Sequence, residues 1–572
     1  MHVLATAGHV DHGKSTLVRA LTGMDPDRFA EEKRRGLTID LGFAWTTLPS
    51  GRGLAFVDVP GHVRFLKNML AGVGAVDACL FVVASTEGWK PQSEEHLRIL
   101  ELLGTADGVV ALTKAGLVDD ELAELARLDV AEHLEGSFLA GAEVVAVDAP
   151  TGVGLASLRL ALDRLLAHTP TAVDHDRPRL WVDRSFAPTG AGTVVTGTLA
   201  GGPIRVDDEM VVLPAGRRAR VRGLQSLGRA HDELGPGNRV AANLAGLGHD
   251  DVSRGDALVR AGQWLSTRTV DASLRVLGSL GHDVSRRGAY VAYLGSGEHP
   301  VRVRVLGPAA LAPGSDGLVR LHLPRPLPLA RGDRYVLREA GRGETVGGGE
   351  VLDVDPVLPA SRARPDRSVD RVVAERGWVD ADVLALLTGE RRPPTVGRWV
   401  VAPEVLAATS DRIVAMVADA GPLGVDVAGL DERHRAVLDS LADLVVVGGR
   451  ARHSVGGDPL AEHPFVAALA AEPFGPPGPD GVDRAELREL VRRGLVVEQD
   501  GVWFAPAAVD AAAQVVAGLL AAQPEGVTMA AIRDALRTTR RYAIPLVNRL
   551  DATGVTRRRG DLRIAGPRLP AG

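Results

Sequence analysis

Lysine is scarce in this sequence: Lys14, Lys33, Lys67, Lys90 and Lys114 are the only ones in 572 residues, and none follows position 114. Against about sixty arginines, that bias makes a lysine in a phosphate-binding context informative, because a planar guanidinium cannot replace a compact ammonium there. Cysteine is rarer still, and the single Cys79 excludes an internal disulfide. No apolar run approaches the ~20 residues that span a bilayer, so no membrane partner is expected. The start, MHVLATAGHV, lacks a basic segment followed by an apolar core, and a cytoplasmic protein is the expectation. What remains is ordinary globular composition, 45% hydrophobic and 24% charged, in a chain long enough for roughly four domains.

The N-terminal stretch HVLATAGHVDHGKSTLVRAL reads as a strand, a glycine-bounded loop and an amphipathic helix. Gly8, His9, Val10, Asp11, His12, Gly13, Lys14 and Ser15 fit the spacing G-x-x-x-x-G-K-[ST], with Thr16 following. Glycines let backbone N–H groups curl around phosphate oxygens, Lys14 reaches the β- and γ-phosphates, and Ser15 is placed to ligate Mg²⁺. Downstream, RRGLTIDLGF carries Thr38, and LAFVDVPGHVRF is a strand ending in Asp58 and followed by Gly61 and His62. Phosphoryl transfer needs a carboxylate for the Mg²⁺ shell, a loop threonine that senses the γ-phosphate and a group that orients water. Asp58, Thr38 and His62 suit those three roles.

The motifs GHVDHGKST, RGLTID and DVPGH resemble those of the translational GTPases, the elongation factor Tu superfamily. The resemblance implies GTP and Mg²⁺ as cofactors, with Gly61 sensing the γ-phosphate and His62 positioning the hydrolytic water. Guanine recognition in that superfamily uses N-K-x-D or T-K-x-D. Here the sequence runs Thr113-Lys114-Ala115-Gly116, so the usual carboxylate is missing. Either Asp119 or Asp120 substitutes for it, or guanine discrimination rests on the backbone of the next loop, AVDAPTGVGL, where Asp148 and Ala149 occupy the S-A positions.

A polar linker, TAVDHDRPR, precedes short alternating runs punctuated by glycine, a pattern that predicts two consecutive β-barrels. The segments GAGTVVTGT and NRVAANL resemble the second domain of the superfamily. With the T-K variant, they look most like the SelB family of selenocysteine-specific elongation factors. That resemblance implies a selenocysteinyl-tRNA whose aminoacyl group lies between the GTPase domain and the first barrel. Asp183, Arg184, Arg222 and Arg229 lie on the stretches expected to line such a pocket.

Beyond residue 360 helical periodicity returns, and a helix followed by a two-stranded wing is expected four times: VLALLTG…GRWVVAP, RAVLDSLADLVVVGGRARHS, RAELRELVRRGLVVEQDGVWFAP and YAIPLVNRLDATGVTRRRGDLRIAG. Charge concentrates in the last unit. Residues 524–572 hold ten arginines against Glu525, Asp534, Asp551 and Asp561, so 10 − 4 = +6 on a chain of net charge −6. Such asymmetry marks a nucleic-acid-binding end. Arg537, Arg540 and Arg541 surround the start of the expected recognition helix, while Arg557, Arg558, Arg559 and Arg563 are expected to project from the wing. The end resembles the last SelB module, which implies a messenger RNA hairpin (SECIS) near a UGA codon as partner, together with the ribosome.

The expected multidomain architecture is an α/β P-loop GTPase domain (1–172), two β-barrels (178–262 and 263–355), winged-helix modules one to three (360–523) and a C-terminal RNA-binding winged helix (524–572). A monomer is expected. The sequence also admits another translation-related GTPase of the superfamily, or a nucleotide-gated nucleic-acid-binding regulator.

Overall fold

The computed structural model describes residues 2–26, 40–61, 69, 76, 78–188, 192–454 and 460–570. The chain divides into two compact units, residues 1–393 and 394–572. Among the described residues no helix is long and apolar enough to cross a membrane.

The first unit begins with a six-stranded sheet. Its elements are β1 (His2–Ala7), α1 (Lys14–Thr22), β2 (Gly42–Thr47), β3 (Gly53–Asp58), β4 (Ala78–Ala84), α2 (Pro91–Leu103), β5 (Gly108–Thr113), α3 (Asp120–Leu134), β6 (Val144–Ala146) and α4 (Leu155–His168). Strand order is β2-β3-β1-β4-β5-β6, parallel except for the antiparallel edge pair β2–β3. Every residue of β1, β4 and β5 is buried because helices cover both faces. Side-chain alternation splits the core in two. Val3 and Ala5 pack with Leu97 and Leu100 of α2, whereas Leu4 packs with Leu17 of α1 and Leu158 of α4. The loop after β1 therefore opens at the carboxyl edge of the sheet's centre, where ligands bind in open α/β sheets.

Two barrels follow. In the first, Glu209–Leu213, Ala257–Arg260, Arg179–Trp181, Thr193–Ala200, Arg239–Ala245 and Arg217–Ser226 form a six-stranded ring, closed by pairing of the last with the first. Residues 193–200 alternate strictly between buried and half-buried, the period expected of a barrel wall. The second is a closed ring of Thr267–Val276, Asp316–Leu327, Gly297–Val305, Tyr290–Leu294, Arg334–Glu339 and Glu344–Asp353.

Among the described residues of the second unit helices alternate with three wing hairpins: Leu444–Val447 with Arg450–His453, Val497–Gln499 with Val502–Phe504, and Thr556–Arg559 with Leu562–Ala565. Of the expected first repeat, the helix Ala381–Thr388 belongs to the first unit and the strand Trp399–Val401 to the second. The final module is the most regular. Helices Pro506–Ala522, Met529–Ala535 and Arg540–Thr553 enclose a core of Val516, Leu520, Ile532, Leu546 and Leu550, and Val527–Thr528 completes a three-stranded sheet with the wing.

Candidate functional site

The loop between β1 and α1 takes its shape from two glycines. Gly8 has φ 129°, and a Cβ there would lie 2.1 Å from the Val82 carbonyl oxygen, so no other residue fits without moving β4. Gly13, at φ 85°, caps α1, whose first residue is Lys14. Lys14 is buried, and its Nζ donates to the carbonyls of Gly8 (3.0 Å) and His9 (2.7 Å). Burial lowers its pKa to about 8, opposed by the nearby carboxylates of Asp58 and Asp11. The N–H of Gly8 donates to Nδ1 of His96, and that of Val10 to Gln92 Oε1 at 3.0 Å, so α2 braces the loop from behind. Burial holds His96 neutral, with a pKa of about 3, which keeps Nδ1 an acceptor.

Asp58 is fully buried at the end of β3. Its Oδ1 accepts from Thr6 Oγ1 at 2.7 Å, and its Oδ2 accepts from Ser15 Oγ at 2.6 Å. A hydroxyl and a buried carboxylate at a helix N-terminus are hard oxygen donors, the set that suits Mg²⁺ beside phosphate. Gly61 closes the same corner: a Cβ on it would lie 2.6 Å from Lys14 Nζ and 2.7 Å from the Val10 nitrogen. Thr38 and His62 lie outside the described residues.

Lys14, Ser15 and Gly61 line one end of a cleft of about 1190 Å³. Thr113, Lys114, Gly116, Asp148 and Ala149 line the other, while Val10, Asp11, Gly13, Ser15 and Thr16 line the loop end. Thr113 Oγ1 donates to the His12 carbonyl at 2.6 Å and joins the two ends. His12 itself is buried, with its pKa lowered to about 4 by burial. Lys114 sits at φ 59° and pairs with Glu87 at 3.0 Å. Of the candidates to replace the missing carboxylate, Asp119 caps α3 by accepting from the Leu122 N–H at 2.9 Å, and Asp120 is the first residue of that helix. Asp148 is the one that lines the cleft.

A second cavity, about 260 Å³, lies where β2 meets the first barrel, lined by Phe43, Trp45, Arg184, Phe186, Thr196 and Arg239. The guanidinium carbons of Arg239 and Arg184 lie 4.0 and 4.6 Å from the centroid of the Phe43 ring. Arg239 also pairs with buried Asp183 through both terminal nitrogens, and Thr196 Oγ1 donates to the same carboxylate at 2.8 Å. Arg184 bonds the Leu41 carbonyl and lies 3.4 Å from Asp40. Asp183 and Arg184 thus come together, but with Arg239 rather than with Arg222 or Arg229. Arg222 is an exposed residue of the strand Arg217–Ser226, and Arg229 is exposed on the short strand that follows. Arg239 was present in the segment NRVAANL, where nothing local distinguishes it from a barrel-surface arginine.

In the last module Arg537, Arg540 and Arg541 are exposed, the latter two opening the helix Arg540–Thr553. Arg541 lies over the Tyr542 ring at 5.4 Å. Arg557, Arg558 and Arg559 are exposed on the wing. Arg563 does not project. It is buried, and its Nε donates to Asp551 Oδ2 at 2.7 Å. Period-two alternation turns Arg563 toward the helix, where Asp551 in the last turn receives it.

Four stretches match known domain families. Residues 1–168 match the elongation factor Tu GTP binding domain and 192–259 elongation factor Tu domain 2. Residues 282–357 match the beta-barrel domain of the selenocysteine-specific elongation factor, and 519–565 the winged helix of elongation factor SelB. Elongation factor Tu 2 of Streptomyces avermitilis is 34% identical over 389 residues, which are 62% of this chain and 96% of that protein. The chain belongs to the elongation factor Tu-like GTPases, and two of its domains match those of the SelB family. The selenocysteine-specific elongation factor of Desulfomicrobium baculatum is 40% identical over 351 residues, 61% of this chain. The chain spans little more than half of that relative, 55% of its length. A crystal structure of bacterial selenocysteine-specific elongation factor EF-Sec aligns over 99% of both chains, with a TM-score of 0.70 and 26% identity.

Proposed function

We propose that this chain is a GTP-dependent elongation factor that delivers selenocysteinyl-tRNA to the ribosome at UGA codons marked by a messenger hairpin. The observation that carries the reading is modular. Elongation factor Tu 2 is matched along 96% of its length by 62% of this chain, and a SelB winged helix lies at 519–565. A general elongation factor has no use for an arginine-rich reader of nucleic acid; a factor confined to one codon context does.

The first cleft holds GTP. The loop N–H groups and Lys14 take the phosphates, Ser15 and Asp58 hold Mg²⁺, and the Thr113–Lys114 loop faces the base. Mg²⁺, when bound, offsets negative charge on the β- and γ-phosphates. Thr38 and Gly61 sense the γ-phosphate, and His62 orients the attacking water. The second cavity takes the aminoacyl end of the tRNA. A selenol ionises more readily than a thiol, and the guanidinium groups of Arg184 and Arg239 favour the anion through Coulomb attraction in a half-buried site. The exposed arginines of the last module hold the hairpin backbone and stack on splayed loop bases. Tethering raises the effective concentration of a rare aminoacyl-tRNA at one codon.

Removal of residues 506–572, the whole last module with its helix Pro506–Ala522, tests the reading. GTP and tRNA binding should persist while UGA-directed incorporation is lost, and normal incorporation by the truncated chain would overturn it. The full chain should also prefer a hairpin with its native loop over the same stem with a scrambled loop at near-physiological salt, since phosphate attraction alone is independent of sequence.

A further inference from the structure

Gly116 leaves the loop after β5 without the carboxylate that guanine recognition requires. The space beside it is not empty. A Cβ built on Gly116 would lie 3.1 Å from both Cγ and Oδ2 of Asp148, which approaches from the loop after β6. The two loops are tied together by the Ala115 N–H, which donates to the Val147 carbonyl at 3.2 Å. Asp148 is fixed at its own backbone, donating to Val153 O and accepting from the Gly152 N–H, both at 2.9 Å. Its Oδ2 accepts from Thr151 Oγ1 at 2.5 Å, while Oδ1 has no hydrogen-bond partner among the described residues. The residue is only 6% exposed, yet it lines the cleft together with Lys114 and Gly116. Half of this carboxylate is therefore open to donors from a ligand in the cleft.

Guanine offers two adjacent donors, N1–H and the exocyclic amine, to one carboxylate; adenine offers an acceptor at N1. We propose that Asp148 is the guanine-reading carboxylate of this protein, moved from the loop after β5 to the loop after β6 in exchange for Gly116. The two positions constrain each other. An aspartate at 116 beside Asp148 would crowd its Cγ and set two negative charges side by side, so the two positions accommodate one carboxylate between them. This inference rests on the reading of the cleft as a GTP site.

The test is equilibrium binding of GDP, xanthosine diphosphate and ADP to the full chain, with circular dichroism as the folding control. Wild type should prefer GDP over both. In Asp148→Asn the amide donates where the carboxylate accepted, so GDP affinity should fall roughly 100-fold, the loss of two charge-assisted hydrogen bonds. Xanthosine diphosphate, which carries a carbonyl in place of the amine, should then become the preferred ligand. Gly116→Asp alone should weaken GDP, and Gly116→Asp combined with Asp148→Ser should restore it to within about tenfold of wild type. Unchanged GDP affinity and unchanged preference in a folded Asp148→Asn chain would overturn the proposal. Should that chain fail to fold, a folded Gly116→Asp/Asp148→Ser variant decides: restored guanine preference supports the exchange and its absence overturns it. A wild type that binds ADP as well as GDP would instead overturn the reading of the cleft.

Discussion

Arg239 grips Asp183 with both terminal guanidinium nitrogens, one of them 2.7 Å from Oδ1, and presents its face to the Phe43 ring at 4.0 Å. One arginine therefore joins a buried carboxylate of the first barrel to an aromatic ring of the nucleotide-binding sheet. The side chains of the pair are 14% and 3% exposed, so Arg239→Ala leaves a buried charge with little beyond the Thr196 hydroxyl to hold it. Breaking a buried pair from one side costs about 3–5 kcal/mol. Thermal unfolding should register that loss. Arg239→Lys, which keeps the charge but not the fork, should lose less. Binding assays with selenocysteinyl- and cysteinyl-tRNA should show reduced discrimination in both variants. A lysine variant matching wild type in both measurements would remove Arg239 from the selenol site.

The wing separates a buried arginine from exposed ones, and under the proposed function the two kinds should fail differently. Arg563 is buried against Asp551, which also accepts from Thr556 Oγ1 at 2.6 Å, so Arg563→Ala should destabilise the last module by about 3 kcal/mol. Arg557→Ala removes an exposed charge and should leave unfolding unchanged. It should instead lower hairpin affinity and reduce the slope of log affinity against log salt by about 0.7–0.9, one phosphate contact. Equal salt slopes for wild type and Arg557→Ala would take that residue off the RNA.

Local pattern makes the outline legible in the sequence. The phosphate loop lies between a buried strand and an amphipathic helix because its glycines and Lys14 follow an apolar run, and the barrel strands alternate as their sequences do. What stayed hidden depends on contacts between distant segments. Arg239 meets Asp183 across 56 positions, Asp148 faces Gly116 from another loop, and Arg563 turns inward because its partner Asp551 lies on the adjoining helix. A period of two states that neighbours in a strand face opposite ways, but not which face is covered. Charge alone favoured placing Arg563 outside.

Acid should weaken the second barrel through His299. The imidazole is buried beside Arg325, and burial first, then that charge, lowers its pKa from 6.5 to about 4. The folded state thus resists a proton that the unfolded chain accepts. The stability of the neutral form is complete above pH 6.5, is lost as pH falls from 6.5 to about 4, and changes no further below that. Between pH 7 and pH 5 the loss should reach about 2 kcal/mol. Hydrogen exchange at the amides of 297–305, corrected for intrinsic rates, reads this as increased local opening. His299→Gln should remove most of the pH dependence, and an undiminished slope would assign it to other groups.

A close backbone approach fixes the loop after β1 at Gly8. Its φ of 129° disfavours any side chain, and a Cβ would stand 2.1 Å from Val82 O, on a fully buried strand that cannot retreat. Gly23 provides the matched control: it also has positive φ, 75°, but no atom lies within 4 Å of its Cβ position. Gly23→Ala should cost only backbone strain, about 1–2 kcal/mol, and leave GDP affinity unchanged. Gly8→Ala must displace the loop that, under the proposed function, takes the phosphates, so GDP affinity should fall by more than about 100-fold even where circular dichroism shows a folded chain. Comparable affinities for the two variants would mean that the loop tolerates displacement, and that phosphate binding in this cleft does not depend on the close approach of Gly8 to β4.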